Sequence, residues 1–273
     1  MNNGLKVGPF VLPIHKETAV MGILNITPDS FSDGGKHNKL DQALFHAQEM
    51  FRDGAKIIDI GGESTRPGFN EVSVEEELER VIPVIEALSK EIPVPLSIDT
   101  YKGEVARQSI QAGAHIINDI WGGKRDPLMP QIMAECNVPV ILMHNRTNLN
   151  YSNFVDDVII DLQESIDLVK KAGLADDKII LDPGIGFAKE YEQNMEMMAH
   201  LESLVNMGYP VLLATSRKRF IGHALDLPVE ERVEGTLATV ALGIMKGCHM
   251  VRVHDVKETV RLSRMMDAML SFT

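Results

Sequence analysis

The sequence predicts an α/β fold, a (β/α)8 TIM barrel with a short N-terminal β-hairpin closing its bottom, and three observations carry that reading. Eight short runs rich in Val, Ile and Leu recur along the 273 residues. Between them lie segments with apolar residues at helical spacing. Several of these segments end in a glycine just before the next run, at Gly54, Gly113, Gly173, Gly208 and Gly247, where a left-handed residue would stop a helix. Apolar strands joined by helices mean a parallel sheet covered on its faces. Eight such units in ~250 residues are the number and size of the barrel. A doubly wound open sheet is the alternative, but no GxGxxG opens any of the helices.

Taken in order, LKVGPFVLP reads as the hairpin, with Gly8-Pro9 at its turn. AVMGILN is the first barrel strand, followed by the polar loop ITPDSFSDGG and the helical segment DQALFHAQEMFRDG. KIIDIGG is the second strand, followed by the loop GGESTRPGFNEVS and the helical segment VEEELERVIPVIEALSKE. PLSIDT, HIINDI and PVILMH follow as strands, then the helical VDDVIIDLQESIDLVKKAG, then the strands KIILDPG, PVLLATS and MVRVHD. No linker, low-complexity tract or charge block marks a second domain, so residues 1–273 read as one.

With 44% hydrophobic residues the chain can bury a large core. A formal charge of -12 excludes a general nucleic-acid or anionic-membrane binder, which needs a basic face. Any anion must therefore be held locally. No signal peptide or spanning apolar run is evident, so a soluble cytoplasmic protein is expected. Cys136 and Cys248 have no metal or CxxC spacing and read as small hydrophobes.

In such barrels the site lies at the C-terminal ends of the strands. Polar residues collect there: Asn25, Gly61-Gly62-Glu63, Asp99-Thr100, Asn118-Asp119, His144, Asp182, Thr215-Ser216 and His254-Asp255. One such carboxylate is ordinarily a helix cap or ion-pair partner, but their presence at nearly every mouth position describes a polar pocket. Asp99, Asn118 and Asp182 suit a flat heterocycle presenting N–H groups, with Ile120, Ile141, Met143 and Phe187 as apolar walls. TSRKRF, residues 215–220, is the densest basic cluster in an acidic chain, and cations at a helix start want an anion. Arg252 and His254, two apart on the eighth strand, share a face. Strands seven and eight are where barrels commonly hold phosphate. The two long loops, each with glycines and one aromatic, Phe31 and Phe69, read as lids carrying Asp33 and Arg66.

Together MGILNITPDSFSDGG, IIDIGGESTRPG, SIDT, IND, DPGIGF, TSRKRF and VRVHD resemble the dihydropteroate synthase family, in order from about Met21 to Asp255. The first two motifs are long and specific; SIDT or IND alone would mean little. The resemblance implies the same barrel and a condensation of 6-hydroxymethyl-7,8-dihydropterin pyrophosphate with p-aminobenzoate, releasing pyrophosphate, the step that sulfonamides inhibit. It implies that Asp99, Asn118, Asp182 and Lys218 grip the pterin edge, with Met143 and Phe187 lining its faces. Asn25, Arg252 and His254 would hold the diphosphate, with Mg2+ as cofactor at Asn25. Phe31, Asp33, Thr65, Arg66, Pro67, Ser216, Lys218 and Arg219 would build the arylamine side, and Asp33, Arg66, Lys218 and Arg252 would be catalytic. The implied route is departure of pyrophosphate first, leaving a pterin methylene cation that the weakly nucleophilic arylamine captures.

The chain departs from the family pattern at MHNRTNLNY, at AKEYEQN where Gly-Lys-Thr is frequent, and at Arg219, where Ser is frequent. His37, His46, His115, His200 and His223 carry no expected role. Three other readings are a methyltetrahydrofolate methyltransferase, a Schiff-base aldolase using Lys218, and a non-catalytic pterin-binding module. The first leaves the SRKR cluster and the long loops unexplained. The second needs a neutral Lys218. The third would be favoured by loss of Asn25 or Arg252, and both are present. A homodimer is expected from the Met- and Leu-bearing last helix, LSRMMDAMLSF.

Overall fold

The computed structural model describes residues 4–26, 36–63 and 71–272. All eight apolar runs are strands of one parallel sheet: β3 (Ala19–Asn25), β4 (Ile57–Gly61), β5 (Leu96–Asp99), β6 (Ile116–Asp119), β7 (Val140–Met143), β8 (Ile179–Asp182), β9 (Leu212–Ala214) and β10 (Met250–Val253). Neighbours in sequence are neighbours in space, and β10 pairs with β3. The single parallel bridge Leu181↔Val211 joins β8 to the start of β9 and closes the barrel. The expected hairpin forms from β1 (Leu5–Val7) and β2 (Phe10–Leu12), with Gly8 at φ +55° in its turn.

The outer layer is α1 (Lys36–Arg52), α2 (Val74–Glu91), α3 (Gly103–Ala112), α4 (Met129–Cys136), α5 (Phe154–Lys171), α6 (Tyr191–Ala199), α7 (Glu202–Val205), α8 (Arg219–Leu225), α9 (Val233–Met245) and α10 (Val256–Leu270). α2 starts where Ser73 accepts a hydrogen bond from the Glu76 amide, and three glutamates fill its first turn, all favourable to a helix N-terminus. Gly54, Gly113, Gly173, Gly208 and Gly247 all have φ between +85° and +117°, as their places before strands require.

Side-chain alternation sorts each strand into two sets. Val20, Leu24, Ile58, Ile60, Leu96, Ile98, Ile117, Val140, Leu142, Ile179, Leu181, Leu213, Val251 and Val253 point outward into the core shared with the helices. The inward set has two levels. Ala19, Met21, Ile57, Ile116, Ile141, Ile180, Leu212 and Met250 form an apolar floor, sealed from below by Leu5, Val7, Leu12 and Ile14. One step further along the strands the inward residues become Asp59, Ser97, Asp99, Asn118, Met143, Asp182, Ala214 and Arg252. The barrel is thus dry below and polar above. Among the described residues no helix is long and apolar enough to cross a membrane.

Candidate active site

The polar ring is built around one guanidinium. Arg252 donates from Nε to Asp59 Oδ2 at 2.6 Å and from Nη2 to Asp99 Oδ2 at 2.7 Å, while Asn118 Nδ2 donates to the same Asp59 oxygen at 3.3 Å. Asp59 is wholly buried and Asp99 is 5% exposed. Burial pushes the Asp99 carboxyl up to about 7, with Arg252 opposing and Asp59 adding to the rise. Asp59 Oδ1, Ser97 Oγ and Asp99 Oδ1 are buried with no hydrogen-bond partner among the described residues. Buried polar atoms without partners are costly in a finished core, so the free carboxylate oxygens of Asp59 and Asp99 mark a surface prepared for a ligand with N–H groups.

Asp182, at the end of β8, is 3% exposed and accepts the Gly184 amide on Oδ1 at 2.7 Å. Burial raises its pKa, against the pull of Lys218. Facing it, Lys218 places Nζ 4.8 Å from the centre of the Phe187 ring and donates to the Ile185 carbonyl. Burial pushes Lys218 down to about 8, with Asp182 opposing and Arg252 adding. That lowering is in the direction a Schiff-base lysine needs, while the hydrogen bond to the Ile185 carbonyl engages the amine.

The other expected residues divide. Met143, 3% exposed, is in the ring, Ile120, 9% exposed, follows β6 two residues beyond Asn118, and Phe187 is half-buried beside Lys218. Ile141 belongs to the floor rather than the wall, one level lower and wholly buried. Ser216 Oγ lies 2.9 Å from His254 Nδ1 and accepts the His254 amide at 3.1 Å, so strands β9 and β10 meet there as expected. Asn25 ends β3, half-buried, opposite Gly61. The basic cluster is less unified than its sequence suggests. Arg217, at φ +57°, turns to Asp255, donating from Nε at 2.9 Å, and Arg219 is exposed on the first turn of α8. Only Lys218 of the three enters the ring. Phe31, Asp33, Thr65, Arg66, Pro67 and Phe69 lie outside the described residues.

Among the described residues no group of three His, Cys, Asp or Glu side chains is placed to hold a metal. A site at Asn25 therefore fits only a cation that brings most of its ligands with it, as Mg2+ does with a diphosphate. The local space agrees: a Cβ on Gly61 would sit 3.5 Å from Asn25 Oδ1 and 3.9 Å from Asp99 Oδ2, and glycine keeps that point open.

Asp59 was not singled out from the sequence, although an acid at an inward position in an apolar strand, matched by Arg252 two strands away, is a readable signal. Glu63, singled out at the mouth from the sequence, has partners the sequence does not reveal: just after β4 it accepts from Tyr101 Oη at 2.9 Å and pairs with Lys102, which also pairs with buried Glu77 at 2.5 Å.

His144, at the end of the fifth barrel strand, is 2% exposed and lies 2.9 Å from Asp161 through Nε2. Burial pushes its pKa down to about 4, against the pull of Asp161. In the unfolded chain a histidine takes a proton near pH ~6.5, so the unfolded state binds more protons between the two values. This group's contribution is complete above that window and lost as pH falls through it. The stability difference between the unaltered protein and His144→Gln is expected to shrink by about 2 kcal/mol between about pH 7.5 and about pH 5. Urea unfolding at both values reads it, and a constant difference would mean that His144 is not held neutral.

The chain matches the family described as "Pterin binding enzyme" over residues 21–254. It is 61% identical over 263 residues to the dihydropteroate synthase of Bacillus subtilis, covering 96% of this chain and 92% of that one. Its fold superposes on a Xanthomonas albilineans dihydropteroate synthase with 4-aminobenzoic acid at TM-score 0.95, with 41% identity over 99% of both chains. The corresponding values for a Yersinia pestis dihydropteroate synthase in complex with a sulfonamide drug are TM-score 0.92 and 44% identity, over 98% of this chain and 99% of that one.

Proposed function

The chain belongs to the pterin binding enzyme family, among its dihydropteroate synthases, and we infer from the polar ring which residues perform the condensation. The enzyme is a transferase of folate biosynthesis. It joins 6-hydroxymethyl-7,8-dihydropterin pyrophosphate to p-aminobenzoate, giving 7,8-dihydropteroate and pyrophosphate, and is a target of sulfonamides. The observation that carries the residue assignment is the set of buried, unpartnered acceptors of Asp59 and Asp99 beside Asn118, with Asp182 across the mouth.

In this reading Asp182 accepts two N–H bonds from the aminopyrimidine edge through its carboxylate. Asp99 and Asn118 hold the remaining edge, and Ile120, Met143, Phe187 and the stem of Lys218 pack its faces, over the floor that contains Ile141. Arg252 has Nε and Nη2 committed to Asp59 and Asp99, which leaves Nη1 for the substrate. Ser216 and His254 bind the diphosphate with it. Asn25 is the residue that would hold Mg2+, and that ion, when bound, supplies positive charge to the diphosphate.

The bond from the pterin methylene carbon to oxygen breaks with its electron pair leaving on pyrophosphate. The carbocation that remains is delocalised into the ring, and the ring carboxylates favour it. The arylamine nitrogen then forms the new C–N bond and loses a proton. Phe31, Asp33, Thr65, Arg66, Pro67 and Arg219 are assigned to the arylamine side by motif position alone. The whole chain, residues 1–273, acts as one domain in the cytoplasm. A homodimer is supported by apolar side chains exposed on α9, α10 and the residues after it, Met245 at 65%, Met265 at 59% and Phe272 at 93%.

The test is pyrophosphate release from the pterin substrate with Mg2+, with and without p-aminobenzoate. Release that depends on the arylamine and falls when a sulfonamide is added is the expected result. Pterin binding without release would favour a binding module instead, and release independent of the arylamine would leave a hydrolase.

A further inference from the structure

Behind the turn that carries Asp182 and Phe187 lies a buried polar chain that makes no direct contact with the ring. Lys189, 9% exposed, places Nζ 2.7 Å from His144 Nδ1, 3.0 Å from the Gly184 carbonyl and 3.1 Å from the Phe187 carbonyl. His144 Nε2 lies 2.9 Å from Asp161 Oδ2. Arg146 clasps both oxygens of Asp161, from Nε and, at 3.1 Å, from Nη2. Although burial acts the other way, hydrogen bonds from His144 and Arg146 hold the Asp161 carboxyl well below the usual carboxylate range.

The directions of these bonds follow from that charge. An ionised carboxylate only accepts, so His144 carries its proton on Nε2 and presents a bare Nδ1. Burial pushes Lys189 down to about 7, with Asp182 opposing; in its ammonium form its three N–H groups match the three acceptors it faces, one nitrogen and two carbonyl oxygens. Every donor has a place.

The two carbonyls belong to a turn with no slack. The Gly184 amide donates to Asp182, the Gly186 amide donates to Asn194 Oδ1 at 2.6 Å, and Tyr151 Oη donates to the Ala188 carbonyl at 2.6 Å. Gly184 itself has φ +67°, and a Cβ there would lie 1.9 Å from the His144 carbonyl oxygen. The packing of the fifth barrel strand against this turn therefore allows only glycine.

We propose that Lys189 is a positioning residue for the pterin half of the site: its ammonium, oriented by His144 and Asp161, fixes the 184–187 turn so that Asp182 and Phe187 meet the heterocycle in one geometry. This rests on the pterin reading of the mouth. Among the described residues, no hydrogen bond of Arg146, Asp161, His144 or Lys189 goes to Ser216, Lys218 or Arg219, the described part of the arylamine side.

Two variants test it by steady-state kinetics with each substrate varied in turn. Lys189→Met is expected to raise KM for the pterin substrate roughly tenfold or more, while KM for p-aminobenzoate stays within about twofold. Asp161→Asn keeps the side-chain shape but no longer fixes the imidazole tautomer, and it is expected to raise the same KM about threefold to tenfold. If Lys189→Met does not fold, Asp161→Asn decides the question. An unchanged pterin KM in the folded variants, or equal rises for both substrates, would overturn the proposal while leaving the condensation intact. No turnover by the unaltered protein would overturn the functional reading and this proposal with it.

Discussion

Asp182→Asn is expected to lower kcat/KM by roughly 30- to 5,000-fold with little loss of stability. The range follows from the roughly 2–5 kcal/mol that separates an intact from a truncated buried, hydrogen-bonded charge pair at a binding site. Asparagine keeps an oxygen for the Gly184 amide, 2.7 Å from Oδ1 in the unaltered protein, so the turn can persist. What it loses is the charge and the second acceptor: its NH2 would face the N–H edge of the pterin. Steady-state kinetics and a thermal melt separate the two effects. A loss smaller than about tenfold, with an unchanged melt, would mean that Asp182 is not the principal partner of the aminopyrimidine.

Arg252→Met is expected to cost about 3–5 kcal/mol of stability as well as activity, because it strands Asp59 and Asp99 without their shared counter-charge. In a domain of this size that corresponds to a drop in melting temperature on the order of 10 °C. The deficit should depend on pH in a defined sense. The Asp99 carboxyl titrates near 7 when folded, against about 3.9 when unfolded, so the folded state holds an extra proton between those values. Its contribution is present at low pH and lost as pH rises through the folded value. Removing Arg252 takes away a charge that lowers that pKa, so the variant should be closest to the unaltered protein at about pH 6 and furthest at about pH 8. Asp59→Asn combined with Arg252→Met should recover part of the loss, since it removes one stranded charge. If the double variant were less stable than the single one, the pairing account would fail.

Much of the barrel is written in the strands themselves. Each of the eight runs is short, β-branched and followed by a polar residue, and those signals are local, so they survive without tertiary information. The residues at the run ends were legible for the same reason: Asp99, Asn118 and Asp182 stand where the chain leaves the sheet. Asp59 was harder because it lies inside a run, where its meaning depends on Arg252, 193 residues away. The basic cluster misled for a related reason. Adjacent cations look like one patch in a sequence, but the positive φ of Arg217 sends it to Asp255 while Lys218 continues inward. Ile141 and Met143 alternate with outward residues and both face inward, and only the height of the strand in the barrel assigns one to the floor and the other to the ring. The role of Lys189 could not be read from its neighbours, since His144, which orients it, lies 45 residues away, just after β7.

The apolar floor beneath a polar ring also fixes which lengths of chain are free to drift. Deleting one residue within β5 would exchange Ile98 for Asp99 at the mouth and drive the carboxylate into the layer under the helices. In β8 the same slip would exchange Leu181 for Asp182. Strand segments therefore behave like a reading frame, in which odd changes are ruinous. The segments above the ring carry no such parity. Lineages of this enzyme can thus be expected to accumulate insertions and deletions between the strands, while the spacing from floor residue to ring residue, two along β4, β6, β7, β8, β9 and β10, stays as it is.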